Sequence, residues 1–144
     1  MNGVSGLVLP SYYLYYESPV KIVPTPEGGA RVWRLSMDSG GWQESDRLFE
    51  KIVFAVGGDV FKRSPEEFVQ DVEEYRGHYL SGEGPVFALY ETVKAVIDTE
   101  VRENRYLTDR ETALVRGIRR KTFVMFEEQL RRAGHPGADP SIGQ

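Results

Sequence analysis

Apolar positions along this chain change period once. From Tyr12 to Asp38 they alternate, as strand residues do, and from Ser45 onward they recur every three or four residues, as helix residues do. In "YYLYYESPVKIV", Tyr12 to Val23, the even positions are Tyr12, Leu14, Tyr16, Ser18, Val20 and Ile22. The odd positions are Tyr13, Tyr15, Glu17, Pro19, Lys21 and Val23. Read as one strand, the even set faces the core and the odd set, with Glu17 and Lys21, is partly wet. Pro19 cannot donate to a ladder, so the strand is predicted to lie at an edge or to bulge. "PTPEGG" reads as a turn, and "ARVWRLSMD" as a second strand with Trp33, Leu35 and Met37 on one side. Pairing Val23 near Ala30 sets Val20 against Trp33 and Tyr16 against Met37. The two apolar faces then coincide, as a hairpin requires. Tyr12 and Tyr16 become core, and Tyr13 and Tyr15 lie on the other face beside Glu17 and Arg34.

"SGGWQES" is a loop carrying Trp42. In "SDRLFEKIVFAV", Leu48, Phe49, Ile52, Val53 and Val56 have helical spacing with Ser45 as a cap. The β-branched end could instead form a buried strand, and helix is preferred. Gly57, Gly58 and Asp59 form a turn. A clearer helix follows, with Ser64 as N-cap, Pro65 at the first helical position and Glu67 completing a capping box. Val86, Leu89, Tyr90, Val93, Ile97 and Val101 make the apolar stripe of the next helix. Thr108 and Glu111 form a second capping box. That last helix has the stripe Leu114, Ile118, Met125 and Phe126, with Gly134 just past its end. The expected fold is α+β: an N-terminal antiparallel hairpin or small sheet packed on three to four helices, with a helical C-terminal half. Residues 1–134 read as one domain and 135–144 as a flexible tail.

Composition narrows the function more than the fold. The 144 residues are 40% apolar and 28% charged, with net charge −4, ordinary values for one globular domain. The acidic balance argues against a protein built to hold nucleic acid. Without cysteine there is no disulfide, thiolate nucleophile or Cys-bound zinc, which fits a reducing cytoplasm. The N-terminal stretch lacks a basic region, so no signal peptide is expected, and no apolar run is long enough to span a membrane. His78 and His135 have no second histidine at ligand spacing, so no metal site and no cofactor are expected. Glu66, Glu67, Asp71, Glu73 and Glu74 crowd one helix, which usually means a solvated face.

The last helix is different. Thr108 to Arg132 holds seven basic and four acidic residues, with Arg116, Arg119, Arg120 and Lys121 bunched. They can pair with the acidic helix, which is the preferred account. They can also face an acidic partner, or contact phosphate, although the aromatic interleaving of a single-strand binder is missing. Phe123, Val124, Met125 and Phe126 are consecutive, so the helix is either central or covered by another chain, as in a homodimer packed through Phe123 and Val124.

No nucleophile–base pair or phosphate-binding motif is present. The leading expectation is a non-enzymatic cytoplasmic protein that binds another protein, with the character of immunity proteins, antitoxins and inhibitors. Its contact residues would be Tyr13, Tyr15, Glu17, Arg34, Trp42, Arg116, Arg119 and Arg120. Exposed tyrosine on an edge strand suits a partner strand. The alternatives are a small-ligand binder or enzyme, with a pocket between sheet and helices lined by tyrosine, Trp33 and Arg34, and a structural homodimer.

Overall fold

The computed structural model describes residues 7–55 and 58–144. The N-terminal methionine region, Val56 and Gly57 lie outside them, and with them part of the first helix and its Gly-Gly turn. The fold is α+β, with a five-stranded antiparallel sheet in the N-terminal half and a mostly helical C-terminal half. The strands are β1 (Ser11–Tyr15), β2 (Ser18–Pro24), β3 (Ala30–Leu35), β4 (Trp42–Glu44) and β5 (Val60–Arg63), in the order β4-β3-β2-β1-β5.

The segment read as one strand is a hairpin. Tyr16 and Glu17 form its two-residue turn, with φ of 47° and 70°. Tyr15 pairs with Ser18, Tyr13 with Val20 and Tyr12 with Lys21. Both turn residues occupy the left-handed region that a type I′ turn needs, and neither is Gly, Asn or Asp. The usual signature is absent, so a period-2 reading runs straight through the turn. A two-residue turn pairs even with odd positions, so the facing of Val20 and Ile22 inverts. The β2–β3 register follows suit: Val20 lies opposite Arg34 and Lys21 opposite Trp33, one residue from expectation.

Tyr13 is therefore buried at 6% exposure and Tyr16 is exposed at 59%, the reverse of the parity reading. β1 is also interior, not an edge. Pro19 precedes the β2–β3 ladder, which begins at Val20, so its missing N–H breaks no bond there. Each αL residue without glycine stores strain of about 1 kcal/mol. Tyr16→Asn with Glu17→Gly should raise stability by about 1 kcal/mol in urea titrations. No change, or a loss, would show that these side chains hold the turn.

Both sheet faces are buried. Tyr12, Trp33, Leu35 and Trp42 pack on Phe68, Val69 and Val72 of α2 (Pro65–Tyr79) and Phe123 of α4 (Asp109–Arg132). On the other face, Tyr13, Val20, Ile22 and Val32 pack on Leu48 and Ile52. These two come from a 3-10 turn, Asp46–Leu48, running into α1 (Phe49–Val53). The predicted first helix is thus present but short. Ser45 does not cap it, because its hydroxyl donates to the Gln43 carbonyl instead. α3 (Pro85–Arg102) packs through Val86 and Tyr90 on Phe126 of α4.

The two capping boxes form as read, at Ser64/Glu67 and Thr108/Glu111. Arg105 and the Thr108 N–H hold the Glu111 carboxyl down to about 2. The α4 stripe is rotated from expectation: Val115, Thr122, Phe123, Phe126 and Glu127 are buried, and Leu114 is exposed.

Residues 135–144 are not a free tail. The Trp42 N–H donates to His135 Nε2 at 3.0 Å, Lys21 Nζ donates to the Gly137 carbonyl at 2.7 Å, and Asp139 N donates to Glu127 at 3.0 Å. A Cβ on Gly137 would come within 2.9 Å of the Trp33 ring, so only glycine lets the segment lie this close. A short 3-10 turn, Ser141–Gly143, then packs on Phe123 and Val124.

Candidate functional site

The acidic helix does not present all its carboxylates to water. Glu73 is buried beside Arg76, and Arg76 also pairs with Glu127 of α4. Arg76 Nη1 donates to Glu73 at 2.9 Å, its Nη2 donates to Glu127, and its Nε donates to the Gly40 carbonyl at 2.9 Å. Gly40 has φ 74°, and a Cβ there would lie 2.7 Å from the Phe126 ring, which itself sits 4.1 Å from the Arg76 guanidinium. The Tyr90 hydroxyl donates to Glu73 at 2.9 Å, and Trp42 Nε1 donates to Glu127 at 3.0 Å. Burial pushes the Glu73 carboxyl above the ordinary range, against the pull of Arg76. Every oxygen here is occupied by the protein itself, so the cluster ties α2, α3, α4 and the β3–β4 turn together. Among the described residues, no three acidic or imidazole groups converge as metal ligands would.

The two sheet edges are treated differently. At β4, the outward N–H of Trp42 is taken by His135. At β5, the phase of the ladder follows from one bond, Tyr16 N–H to the Asp59 carbonyl at 2.8 Å. Tyr16 and Asp59 continue the register Leu14↔Phe61 and Tyr12↔Arg63. Antiparallel pairs alternate between bonded and non-bonded, so those pairs exchange hydrogen bonds and Tyr15↔Val60 and Tyr13↔Lys62 do not. The N–H and C=O groups of Val60 and Lys62 therefore point away from the sheet. β5 is an open edge.

Its surroundings are aromatic and acidic. Phe61 is 56% exposed and lies opposite Leu14 on the α2 side. Tyr16, 59% exposed, is at the hairpin tip next to the start of β5, its ring edge-on to Tyr15 at 4.8 Å. A groove of about 330 Å³ runs from Leu14 to α2, lined by Glu17, Glu74, Tyr75 and Tyr79. Asp71, also in this groove, is held by Arg63 at 2.8 Å.

Of the residues singled out by sequence, Tyr16's neighbours Glu17 and Tyr15 are near this edge. Tyr15 is half-buried, with the Arg34 guanidinium 5.8 Å from its ring, and Arg34 also donates to Ser18. Tyr13 and Trp42 are core residues and cannot touch a partner. Arg116 and Arg120 are exposed on α4, away from the sheet, and Arg119 lines a small cleft with Glu74 and Tyr90. Burial lowers the Arg119 pKa, with Glu74 and Glu73 opposing. Among the described residues, none of the three arginines makes an ion pair with the acidic helix; Gln70 of α2 instead donates to the Arg116 carbonyl.

Phe123 and Val124 do make a contact outside their helix, but within the chain, on the sheet face and the C-terminal turn. Sequence reading missed Phe61 and the strand that carries it, because "VFKR" is short and follows a Gly-Gly turn into a helix cap. Among the described residues, no helix is long and apolar enough to cross a membrane. No protein-family model, curated protein or solved structure matches the chain.

Proposed function

We propose that this is a non-enzymatic binding protein of the cytoplasm that captures an extended segment of another protein by strand addition at β5. One observation carries the reading: the backbone of Val60 and Lys62 points outward and finds no partner among the described residues. Main-chain hydrogen bonds would supply affinity, and alternate side chains would supply selectivity. The segment's inward side chain would rest on Phe61 and Leu14. Basic residues flanking it would meet Glu17 and Glu74, so an apolar residue between basic ones fits best. The strained Tyr16–Glu17 turn holds an aromatic ring and a carboxylate at this edge, in keeping with strain kept where it is used.

The test uses displayed random peptides selected on the immobilised protein, with affinities then measured by fluorescence polarisation. Lys62→Pro removes an outward N–H while leaving the ladder bonds of Phe61 and Arg63 in place. It should weaken selected peptides at least tenfold, about 1.4 kcal/mol or more, with little change in melting temperature. Phe61→Ser should weaken them similarly. Peptides that bind Lys62→Pro as tightly as wild type, or that shift amide signals around Arg116 and Arg120 instead, would refute strand addition. Sedimentation giving a mass of two chains, abolished by Lys62→Pro, would make the partner strand a second copy.

A further inference from the structure

A second site lies on the opposite side of β1. Between the sheet and the C-terminal segment is a cavity of about 410 Å³. Its walls are mainly apolar, with Trp33, Phe68, Phe123 and Val23. Its polar side chains are few: Lys21, Tyr12 and Asp139.

Lys21 is 5% exposed. Its ammonium donates to the Gly137 carbonyl at 2.7 Å and lies 4.4 Å from the Trp42 ring centroid. An ammonium has three donors, so two of them find no acceptor among the described residues. The Tyr12 hydroxyl, in the same cavity, makes no hydrogen bond among the described residues either. A buried cation short of acceptors is costly unless something accepts from it. Burial pushes the Lys21 ammonium below the ordinary lysine value, and Glu127 and Asp139 only partly offset this.

We propose that this cavity binds a small carboxylate with a flat apolar body. The carboxylate would accept from Lys21 Nζ and the Tyr12 hydroxyl, and the body would lie against Trp33 and Phe68. The volume falls within the small-molecule range of roughly 300–1,000 Å³. A single negative charge fits better than two. Glu127 and Asp139 already hold negative charge near Lys21, and a phosphate dianion would be repelled by both. The site shares no residue with the β5 edge, so neither proposal depends on the other.

The experiment is an NMR titration of the full chain with 2-naphthoate, 2-naphthyl phosphate and 2-naphthylmethylamine. 2-Naphthoate should shift the Trp33 indole signal and bind at least tenfold tighter than the amine or the phosphate. Lys21→Met, which keeps the stem and removes the charge, should weaken 2-naphthoate at least tenfold. Tyr12→Phe should weaken it several-fold. That hydroxyl makes no hydrogen bond among the described residues, so this variant decides the matter should Lys21→Met fail to fold. Three outcomes would overturn the proposal. They are equal binding of acid and amine, unchanged 2-naphthoate affinity in Tyr12→Phe, and no binding of 2-naphthoate up to about 10 mM.

Discussion

Arg76→Leu should lower the unfolding free energy by about 3–5 kcal/mol. The guanidinium is fully buried between Glu73 and Glu127, and leucine leaves both carboxylates without their cation in a site closed to water. It also leaves the Gly40 carbonyl without its donor. Glu73→Gln should behave differently. The amide oxygen can still accept from Arg76, and its NH₂ can face the Tyr90 oxygen. At neutral pH the change should stay within about 1 kcal/mol. Urea unfolding of the two variants separates a cluster held by its cation from one in which each member counts equally; similar losses for both would sink this account.

The pH dependence has a definite sign. Burial raises the folded pKa of Glu73, so the folded state holds this proton more tightly than the unfolded chain. The stability this contributes is present at low pH. It is lost as pH rises through the ordinary glutamate value, about 4.3, toward the folded value. Glutamine has no such proton to lose. The stability of Glu73→Gln should therefore improve relative to wild type as pH is raised from about 4 to about 7. A difference that stays constant, or shrinks, would contradict burial as the cause.

Truncation after Gly134 is the second large effect, expected at about 4–7 kcal/mol. The segment accepts from the Lys21 ammonium and from Trp42 N, and donates to the Glu127 carboxylate. Hydrogen bonds to charged groups contribute about 1.5–3 kcal/mol each and neutral ones about 1. The entropy regained by the freed residues is set against loss of their own burial, chiefly Pro140 and Ile142, so the anchoring bonds decide the net. The loss is a large part of the roughly 5–15 kcal/mol that holds a domain folded. Thermal melts and urea titrations of the shortened chain measure it directly. A change under about 0.5 kcal/mol would mean that the segment behaves as a free tail.

What was legible in the sequence rests on interactions close along the chain. Ser64 with Glu67, and Thr108 with Glu111, reach only three residues, so their caps could be read directly and both form. The α+β division follows likewise from the change of period near Ser45. The strands Tyr12 to Leu35 were legible as strands, but not their facing. Tyr16-Glu17 lacks any turn signature, and with both sheet faces buried, tyrosines on either side look alike in a pattern that assumes one wet face. Glu73 offered no local sign of burial either: its pair with Arg76 at i+3 reads like any surface pair, and what encloses the two, Tyr90 of α3 and Glu127 of α4, lies far along the chain.

The candidate surfaces were the least legible part. Exposure of Phe61 depends on β5 closing the sheet beside β1, and burial of Trp42 on the return of His135. The sequence by itself determined the capped starts of α2 and α4, the class and the acidic, cysteine-free character. Only the tertiary structure decided which tyrosines are core, which edge stays open and where Lys21 is enclosed. Each of these is set by pairings between distant residues, and local propensity does not encode a distant register.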